Sequence, residues 1–213
     1  MIIITFDDCP GNLLFHAIPH LKQKKWIAVF FAPIQFLGGY NEWNVRKGKT
    51  KMEIMTREEV KHLADAGHEV GAHSMSHAHL NECSPEAAEY EITESKKQLE
   101  KILNQPVDSF AYPYGHYPEN YKTIMKQAGY KCAVAMESGS HDVLSDPYCI
   151  KRVTIEQGET PDTFKKKMVA FKTGEIRTAK KHCELALAIR HSITKNNQMI
   201  FRITYLQPII ICI

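Results

Sequence analysis

The 213-residue sequence lacks several patterns that identify whole classes of protein. Its cysteines form no CxxC pair and no zinc-knuckle spacing, which excludes the usual cysteine-based structural zinc sites. No segment approaches the roughly 18–20 apolar residues that a membrane-spanning helix needs, so we expect no membrane span. The lysines and arginines form no stripe interleaved with aromatic residues, so we expect no nucleic-acid partner.

The amino terminus lacks the parts of a secretory signal. Met1 leads into an isoleucine run and then into a pair of aspartates, with neither a basic segment nor a small-residue cleavage site. The six cysteines are interpreted as mostly buried free thiols, which is typical of a reducing compartment. We therefore expect a cytoplasmic protein, whereas a leader preceding this sequence would place it outside the cell or in the cell envelope.

What is present is an ordinary globular composition, with 44% hydrophobic and 24% charged residues, which argues against disorder. Short apolar runs alternate with amphipathic segments along the chain, and this alternation predicts a parallel sheet with helical crossovers. Both a doubly wound sheet and a barrel fit it. No GxGxxG follows the first strand, so the dinucleotide-binding version lacks its signature.

The predicted elements extend over most of the chain. Strands are predicted at 2–6, 26–32, 68–73, 107–113, 130–136 and 149–155, and helices at 13–25, 56–67, 84–104, 118–129 and 160–171. Residues 34–55 are predicted to be irregular. We expect one domain over 1–172, followed by a C-terminal extension at 173–213 whose pattern fits one further helix and a terminal strand or two.

Three polar clusters follow predicted strands. They are Asp7-Asp8, the segment from His73 to His77, and the segment 111–115. Each alone has an ordinary explanation as a turn, a helix cap or a pair of surface histidines. Because the carboxyl ends of parallel strands meet at one edge of a sheet, we expect all three clusters to lie together, where reactive groups collect in such folds.

The residue types in these clusters fit a metal site. His73 and His77 are spaced to present two imidazoles, and one aspartate completes a two-histidine, one-carboxylate face with open positions. The second carboxylate is then free to act as a general base, and an open site points to catalysis. Zinc is the expected metal, although cobalt, nickel and iron suit the same ligands. Iron oxygenases with this ligand set use antiparallel barrels, which do not fit the β/α rhythm.

These motifs resemble those of the NodB-homology polysaccharide deacetylases, the carbohydrate esterase family 4 type. The resemblance rests on "TFDD" at residues 5–8, "AGHEVGAHSMSH" at 66–77, "PVDSFAYPYG" at 106–115 and "QAGYKCAVA" at 127–135, and it extends over residues 1–155. It implies a distorted (β/α) barrel with fewer than eight strands. It also implies a hydrolase that removes acetyl groups from N-acetylated sugars or polysaccharides, with a carbohydrate as its partner.

The resemblance also implies roles for individual residues. Asp8, His73 and His77 would hold a divalent metal ion that polarises the acetamide carbonyl and activates a water molecule. Asp7 would be the general base. The backbone N–H of Tyr114 would stabilise the oxyanion together with the metal.

Two positions depart from the family pattern. Ala111 stands where many members have an arginine that pairs with the base, so Arg152, the metal or another group must balance the charge of Asp7. Arg152 also stands near the place of a late histidine that protonates the leaving amine, and arginine is a very poor acid. His116 and His141 are candidate substitutes. An alternative interpretation is therefore a catalytically weak relative that acts as a carbohydrate-binding module.

Other residues near these motifs have expected supporting roles. Ser74 and Ser76 are expected to orient the histidine loop by hydrogen bonds rather than to react. Cys9, beside the aspartates, is expected to fill space rather than to bind metal. Tyr40 and Trp43, within the irregular segment, are either sugar-stacking platforms or packing groups.

Overall fold

A computed structural model describes residues 2–136, 146–155, 158–173 and 209–212 of the chain. The strands in this part are β1 (Ile2–Phe6), β2 (Val29–Ala32), β3 (Glu69–Ala72), β4 (Ser109–Ala111), β5 (Cys132–Val134), β6 (Val153–Thr154) and β7 (Ile209–Cys212). The α-helices are α1 (Ala17–Lys24), α2 (Glu42–Val45), α3 (Arg57–Asp65), α4 (Pro85–Leu103), α5 (Tyr121–Ala128) and α6 (Pro161–Thr173). None of the described helices is long and apolar enough to cross a membrane.

The strands form one curled parallel sheet. Its order is β5-β4-β3-β2-β1-β7-β6, and each pair of neighbouring strands is parallel. Ile150, just before β6, brings the two edges together, because its N–H donates to the Ala133 carbonyl at 2.9 Å and its carbonyl accepts from the Ala135 N–H at 2.8 Å. The predicted distorted (β/α) barrel is therefore confirmed.

The C-terminal strand β7 lies inside this sheet, between β1 and β6. It pairs with β1 in register from Ile2 opposite Ile209 to Thr5 opposite Cys212. The terminal strand expected in the extension is thus present. The further helix expected in that extension lies outside the described residues, and the domain boundary at 172 stays a prediction.

Alternation along the strands divides the core into two layers. Inside the barrel pack Ile3, Val29, Phe31, Ala111, Cys132, Val134 and Ile150. Outward-facing side chains, such as the stacked rings of Phe6 and Phe30, pack against the helices in a second cluster. Both faces of these parallel strands are covered, one by the barrel interior and the other by helices. The strands are therefore continuous apolar runs in the sequence.

Gly71 of β3 leaves the room that the Phe31 ring occupies in the barrel interior. A Cβ at this position would lie 2.5 Å from the ring and 2.6 Å from Ser109 Oγ. Overpacking of this kind costs about 1–3 kcal/mol, so we expect Gly71→Ala to lower the free energy of unfolding by that amount in urea titrations. Gly11→Ala is the matched control, because its Cβ would meet only the Glu53 carbonyl oxygen at 3.6 Å, and it should be nearly neutral.

Local residue chemistry accounts for the start of α3 and for the break before α1. Thr56 and Glu59 form a capping box at the start of α3, with both reciprocal hydrogen bonds present. The predicted helix at 13–25 breaks at residues 15–16. Pro19 does not interrupt it, since Pro19 falls in the first turn of α1, where no N–H partner is needed.

The second strand begins later than predicted because the first residues of its apolar run close the preceding helix. Lys25 takes a left-handed conformation with φ 55°, and the Trp26 N–H donates to the Leu21 carbonyl at 2.9 Å. This pairing is a Schellman-type helix end. Trp26 is consequently 56% exposed, and β2 begins only at Val29.

Candidate active site

A tight turn at the end of β1 carries the aspartate pair. Asp8 and Cys9 both adopt positive φ angles, 68° and 49°, and the Cys9 carbonyl accepts from the Met55 N–H at 2.9 Å. Cys9 is fully buried in the outer core, and burial raises the pKa of its thiol. It is not among the clustered ligand atoms, which agrees with the space-filling role expected for it.

The ring of His73 is oriented by the backbone of a neighbouring strand. His73 follows β3, its N–H donates to the Ala32 carbonyl at 2.9 Å, and its Nδ1 lies 2.7 Å from the Ala111 carbonyl oxygen. A carbonyl oxygen can only accept, so Nδ1 carries the proton. In neutral His73 the lone pair is then on Nε2, the arrangement that metal-binding histidines adopt when a carbonyl holds the other nitrogen.

The loop between the histidines contains two left-handed residues, Ser74 (φ 62°) and His77 (φ 55°). Ser74 Oγ accepts from the His77 N–H at 2.9 Å, which ties the two ends of the loop together. The Ser76 hydroxyl donates to Glu91 Oε1 at 2.6 Å. Both serines make the loop hydrogen bonds that were expected of them.

Three potential ligand atoms converge at this edge of the sheet. Asp8 Oδ1 lies 3.3 Å from His73 Nε2 and 3.1 Å from His77 Nε2, and all three atoms lie within 4.8 Å of one another. Among the described residues, Asp8 Oδ1 is buried without a hydrogen-bond partner of acceptable geometry. A lone pair on His73 Nε2 facing a carboxylate oxygen is repelled unless a proton or a metal ion lies between them, and one carboxylate with two imidazoles is a donor set that fits a metal ion.

The pKa shifts of Asp8 and His73 also show that positive charge is favoured at this cluster, whereas the pKa of His77 shifts the other way. Burial acts to raise the pKa of Asp8, but the two histidines outweigh it and hold that pKa well below its ordinary value. Burial acts to lower the pKa of His73, and the carboxylates of Asp8 and Asp7 more than offset it, so the pKa is raised. For His77, burial prevails and its pKa is lowered.

Asp7 forms a bidentate ion pair with Arg152. The two guanidinium nitrogens lie 2.7 Å from Oδ1 and 2.7 Å from Oδ2, and the Arg152 side chain is fully buried while that of Asp7 is 15% exposed. Arg152 also donates to the Thr5 hydroxyl and to the Ala135 carbonyl. Of the charge partners considered for Asp7, Arg152 is therefore in direct contact.

This ion pair controls the charge of Asp7. Burial acts to raise its pKa, but the Arg152 guanidinium outweighs burial, and the pKa is lowered. Ala111, where many relatives have an arginine, is fully buried in the barrel interior. The guanidinium thus approaches Asp7 from the segment before β6 instead of from the end of β4.

Tyr114 lies beside the histidine cluster in a strained conformation with φ 58°. Its ring contacts His77 edge-on, with centroids 4.7 Å apart, and stacks in parallel on His79 at 3.8 Å. Within the described part of the chain, its backbone N–H donates to no protein acceptor. The oxyanion-stabilising role expected for this N–H stays a prediction.

The aromatic residues of the 34–55 segment differ in their surroundings. Trp43 is 8% exposed and stacks on the His77 ring with centroids 4.1 Å apart, so it is a packing group that supports a candidate metal ligand. Tyr40 is half-buried, with the Lys51 ammonium 4.4 Å from its ring centroid. Of the acid candidates, His116 is exposed with its ring 5.9 Å from that of His79, and His141 lies outside the described residues.

The sequence interpretation missed Glu91 and the contact that Trp43 makes with His77. Glu91 is buried and accepts hydrogen bonds from Met75 and Ser76. One local signal existed, because Glu91 falls on the apolar face of α4 with Ala88, Ile92, Ser95 and Leu99. A carboxylate on such a face requires a polar partner.

The curled parallel sheet and the cluster at its carboxyl edge define a β/α barrel with a candidate metal-binding site. Residues 1–133 match the family model of the polysaccharide deacetylases. The chain belongs to the polysaccharide deacetylase family. The resemblance noted in the sequence is thereby confirmed.

Relatives and solved structures agree with this assignment. A peptidoglycan-N-acetylglucosamine deacetylase of Bacillus cereus is 31% identical over 132 residues, which are 62% of this chain and 54% of that protein. The Streptococcus pyogenes deacetylase PplD, solved in complex with acetate, has a TM-score of 0.66 at 24% identity, covering 78% of this chain and 69% of that one.

A further structure with the same fold is a CE4 family pseudoenzyme from Bacillus anthracis. Its TM-score is 0.54 at 20% identity, and the match covers 80% of this chain and 50% of that one. The chain spans about half the length of the curated relatives it matches.

Proposed function

We propose that this chain is a metal-dependent hydrolase that removes acetyl groups from N-acetylated sugars or polysaccharides. The observation that carries the proposal is the convergence of Asp8 Oδ1 with His73 Nε2 and His77 Nε2, at 3.3 and 3.1 Å, beside a second carboxylate held by Arg152. A site with three protein ligands leaves positions open for water and substrate, as catalytic metal sites do. Zinc is the proposed metal, and the cytoplasmic location stays a prediction.

Asp8, His73 and His77 would hold the ion, which when bound supplies Lewis acidity for the acetamide carbonyl and lowers the pKa of a bound water. Asp7 accepts the proton as the water attacks, because the Arg152 guanidinium keeps its carboxylate ionised. The Tyr114 N–H, which has no acceptor among the described residues, donates to the developing oxyanion. Arg152 retains its proton at all ordinary pH, so it holds the base and does not protonate the leaving amine.

Metal content tests the binding half of this proposal. The purified full chain is expected to take up one equivalent of zinc, and His73→Ala is expected to lose it, because only two protein ligands remain. His62→Ala is the matched control, since that histidine lies on α3, outside the ligand cluster. Elemental analysis after dialysis measures the zinc content of the wild type and of each variant. Equal metal content in wild type and His73→Ala would contradict the site.

A second candidate function is a catalytically weak relative that binds carbohydrate. The absence of a histidine in the late strand and the structural likeness to a pseudoenzyme favour it. Metal uptake together with binding of N-acetylglucosamine oligomers, but without acetate release from any acetylated amide, would support this alternative.

A further inference from the structure

Glu91, on α4, contacts the loop that joins the two histidines. Its Oε2 accepts from the Met75 N–H at 2.9 Å and from the Ser76 N–H at 2.8 Å, and its Oε1 accepts from the Ser76 hydroxyl at 2.6 Å. We propose that Glu91 is a positioning residue that sets the metal affinity of the site by holding this loop. The inference rests on the proposed metal-dependent function and deepens it.

The carboxylate of Glu91 is committed to the loop and to nothing else in the described residues. It is 9% exposed, and the ion pairs of the described part include none to Glu91. Burying a charge without a cation is costly unless hydrogen bonds satisfy it. Here successive backbone N–H groups supply those bonds, an arrangement that stabilises anions.

The loop needs such an anchor because its own backbone is strained. Ser74 and His77 both adopt left-handed conformations, each of which costs about 1–3 kcal/mol in a residue other than glycine and persists only when its surroundings fix it. The other side of the loop is held by the Ile34 N–H donating to the Ser74 carbonyl and by the Gln35 N–H donating to the Met75 carbonyl. Glu91 is the side-chain anchor on the side of α4.

His77 depends on this anchor more than His73 does. The His73 ring is fixed by the Ala111 carbonyl through Nδ1. The Nδ1 of His77 is buried and has no hydrogen-bond partner among the described residues, so its ring is positioned by the Trp43 stack, the edge contact with Tyr114 and the loop backbone. Loss of Glu91 therefore frees the loop to relax and moves His77 Nε2 relative to Asp8.

The test measures metal binding directly. Wild type, Glu91→Ala and Glu91→Gln are titrated with Zn²⁺ against a competing chelator, and the Co²⁺-loaded proteins are compared by visible absorption. Residues that hold metal ligands in place typically contribute about 10–100-fold in affinity. We expect Glu91→Ala to weaken binding near the upper end of that range and Glu91→Gln near the lower end, because the amide keeps one acceptor but loses the charge. The intensity of the Co²⁺ bands should change in both.

Glu89→Ala is the matched control, since Glu89 is an exposed carboxylate on the same helix, and its affinity should stay within about twofold of wild type. Circular dichroism establishes that each variant is folded at the titration temperature. Should Glu91→Ala not fold, the nearly isosteric Glu91→Gln decides the question.

Folded Glu91 variants with wild-type zinc affinity and an unchanged Co²⁺ spectrum would overturn the inference and leave the proposed function intact. A wild-type chain that binds neither ion would instead contradict the proposed function itself.

Discussion

Replacing Asp7 with asparagine is expected to remove deacetylation and to leave the metal in place. Asparagine has nearly the same shape but cannot accept a proton, and general-base catalysis typically contributes about 10²–10⁴-fold to the rate. The candidate ligand atoms on Asp8, His73 and His77 are untouched by this change. We expect kcat for acetate release to fall by that factor, with metal content unchanged by elemental analysis.

Asp8→Asn is the companion variant, because the two aspartates are adjacent and differ only in their contacts. Asp8 faces the histidines, whereas Asp7 faces Arg152. Asp8→Asn should lose metal and activity together. If Asp7→Asn loses the metal and Asp8→Asn keeps it, the roles assigned to the two residues are reversed.

Replacing Arg152 with methionine is expected to give the largest loss of stability among the variants considered. The change leaves the Asp7 carboxylate without its bidentate partner in a site where the arginine side chain is fully buried. Removing one member of a buried ion pair typically costs about 3–5 kcal/mol. Urea unfolding of the chelator-treated protein at neutral pH measures this loss.

The loss should depend on pH in a defined direction. In the wild type the pKa of Asp7 is lowered, so the stability that its ionised form contributes is present above the unfolded pKa and lost only as pH falls through the lower folded value. Without the guanidinium, burial raises the pKa of Asp7, and protonation relieves the penalty. The difference in unfolding free energy between wild type and variant should therefore narrow as pH falls.

Arg46→Met is the control for this measurement. Arg46 pairs with Glu42 one helical turn away, and their side chains are 78% and 37% exposed. An exposed ion pair of this kind contributes about 0.3–0.5 kcal/mol to the free energy of unfolding. An Arg152→Met variant no less stable than Arg46→Met would show that the Asp7 pair is not a structural element of the site.

Much of the fold was predictable because its signals are local. The capping box at Thr56 and the apolar runs of the buried strands each involve only a few consecutive residues, so they indicate helices and strands directly from the sequence. The carboxyl ends of parallel strands meet at one edge, which is why Asp8, His73 and His77 were expected to lie together. The curled barrel followed from the family motifs and is confirmed, as is the convergence of the three side chains, whereas the role of this edge as the active site stays a prediction.

The parts that were not predictable depend on contacts between distant segments. Arg152 was one of several charge partners considered for Asp7, and only the closure of the sheet brings these residues together across 145 positions of sequence. The stack of Trp43 on His77 depends on how the 34–55 segment, which was predicted to be irregular but contains the short helix α2, folds over the site. The only sequence signal for Glu91 was its charged side chain on an otherwise apolar helix face. That signal did not indicate which loop the carboxylate would contact.

Acetate release by the chelator-stripped and Zn²⁺-reloaded 213-residue chain is the measurement that tests the central claim most directly. With N-acetylglucosamine oligomers and a panel of acetylated amides as substrates, we predict that stripped protein releases no acetate, that reloading restores release, and that reloaded Asp7→Asn does not recover it. Acetate release that is unaffected by stripping, or that persists in reloaded Asp7→Asn, would contradict a metal site served by Asp7 as its base.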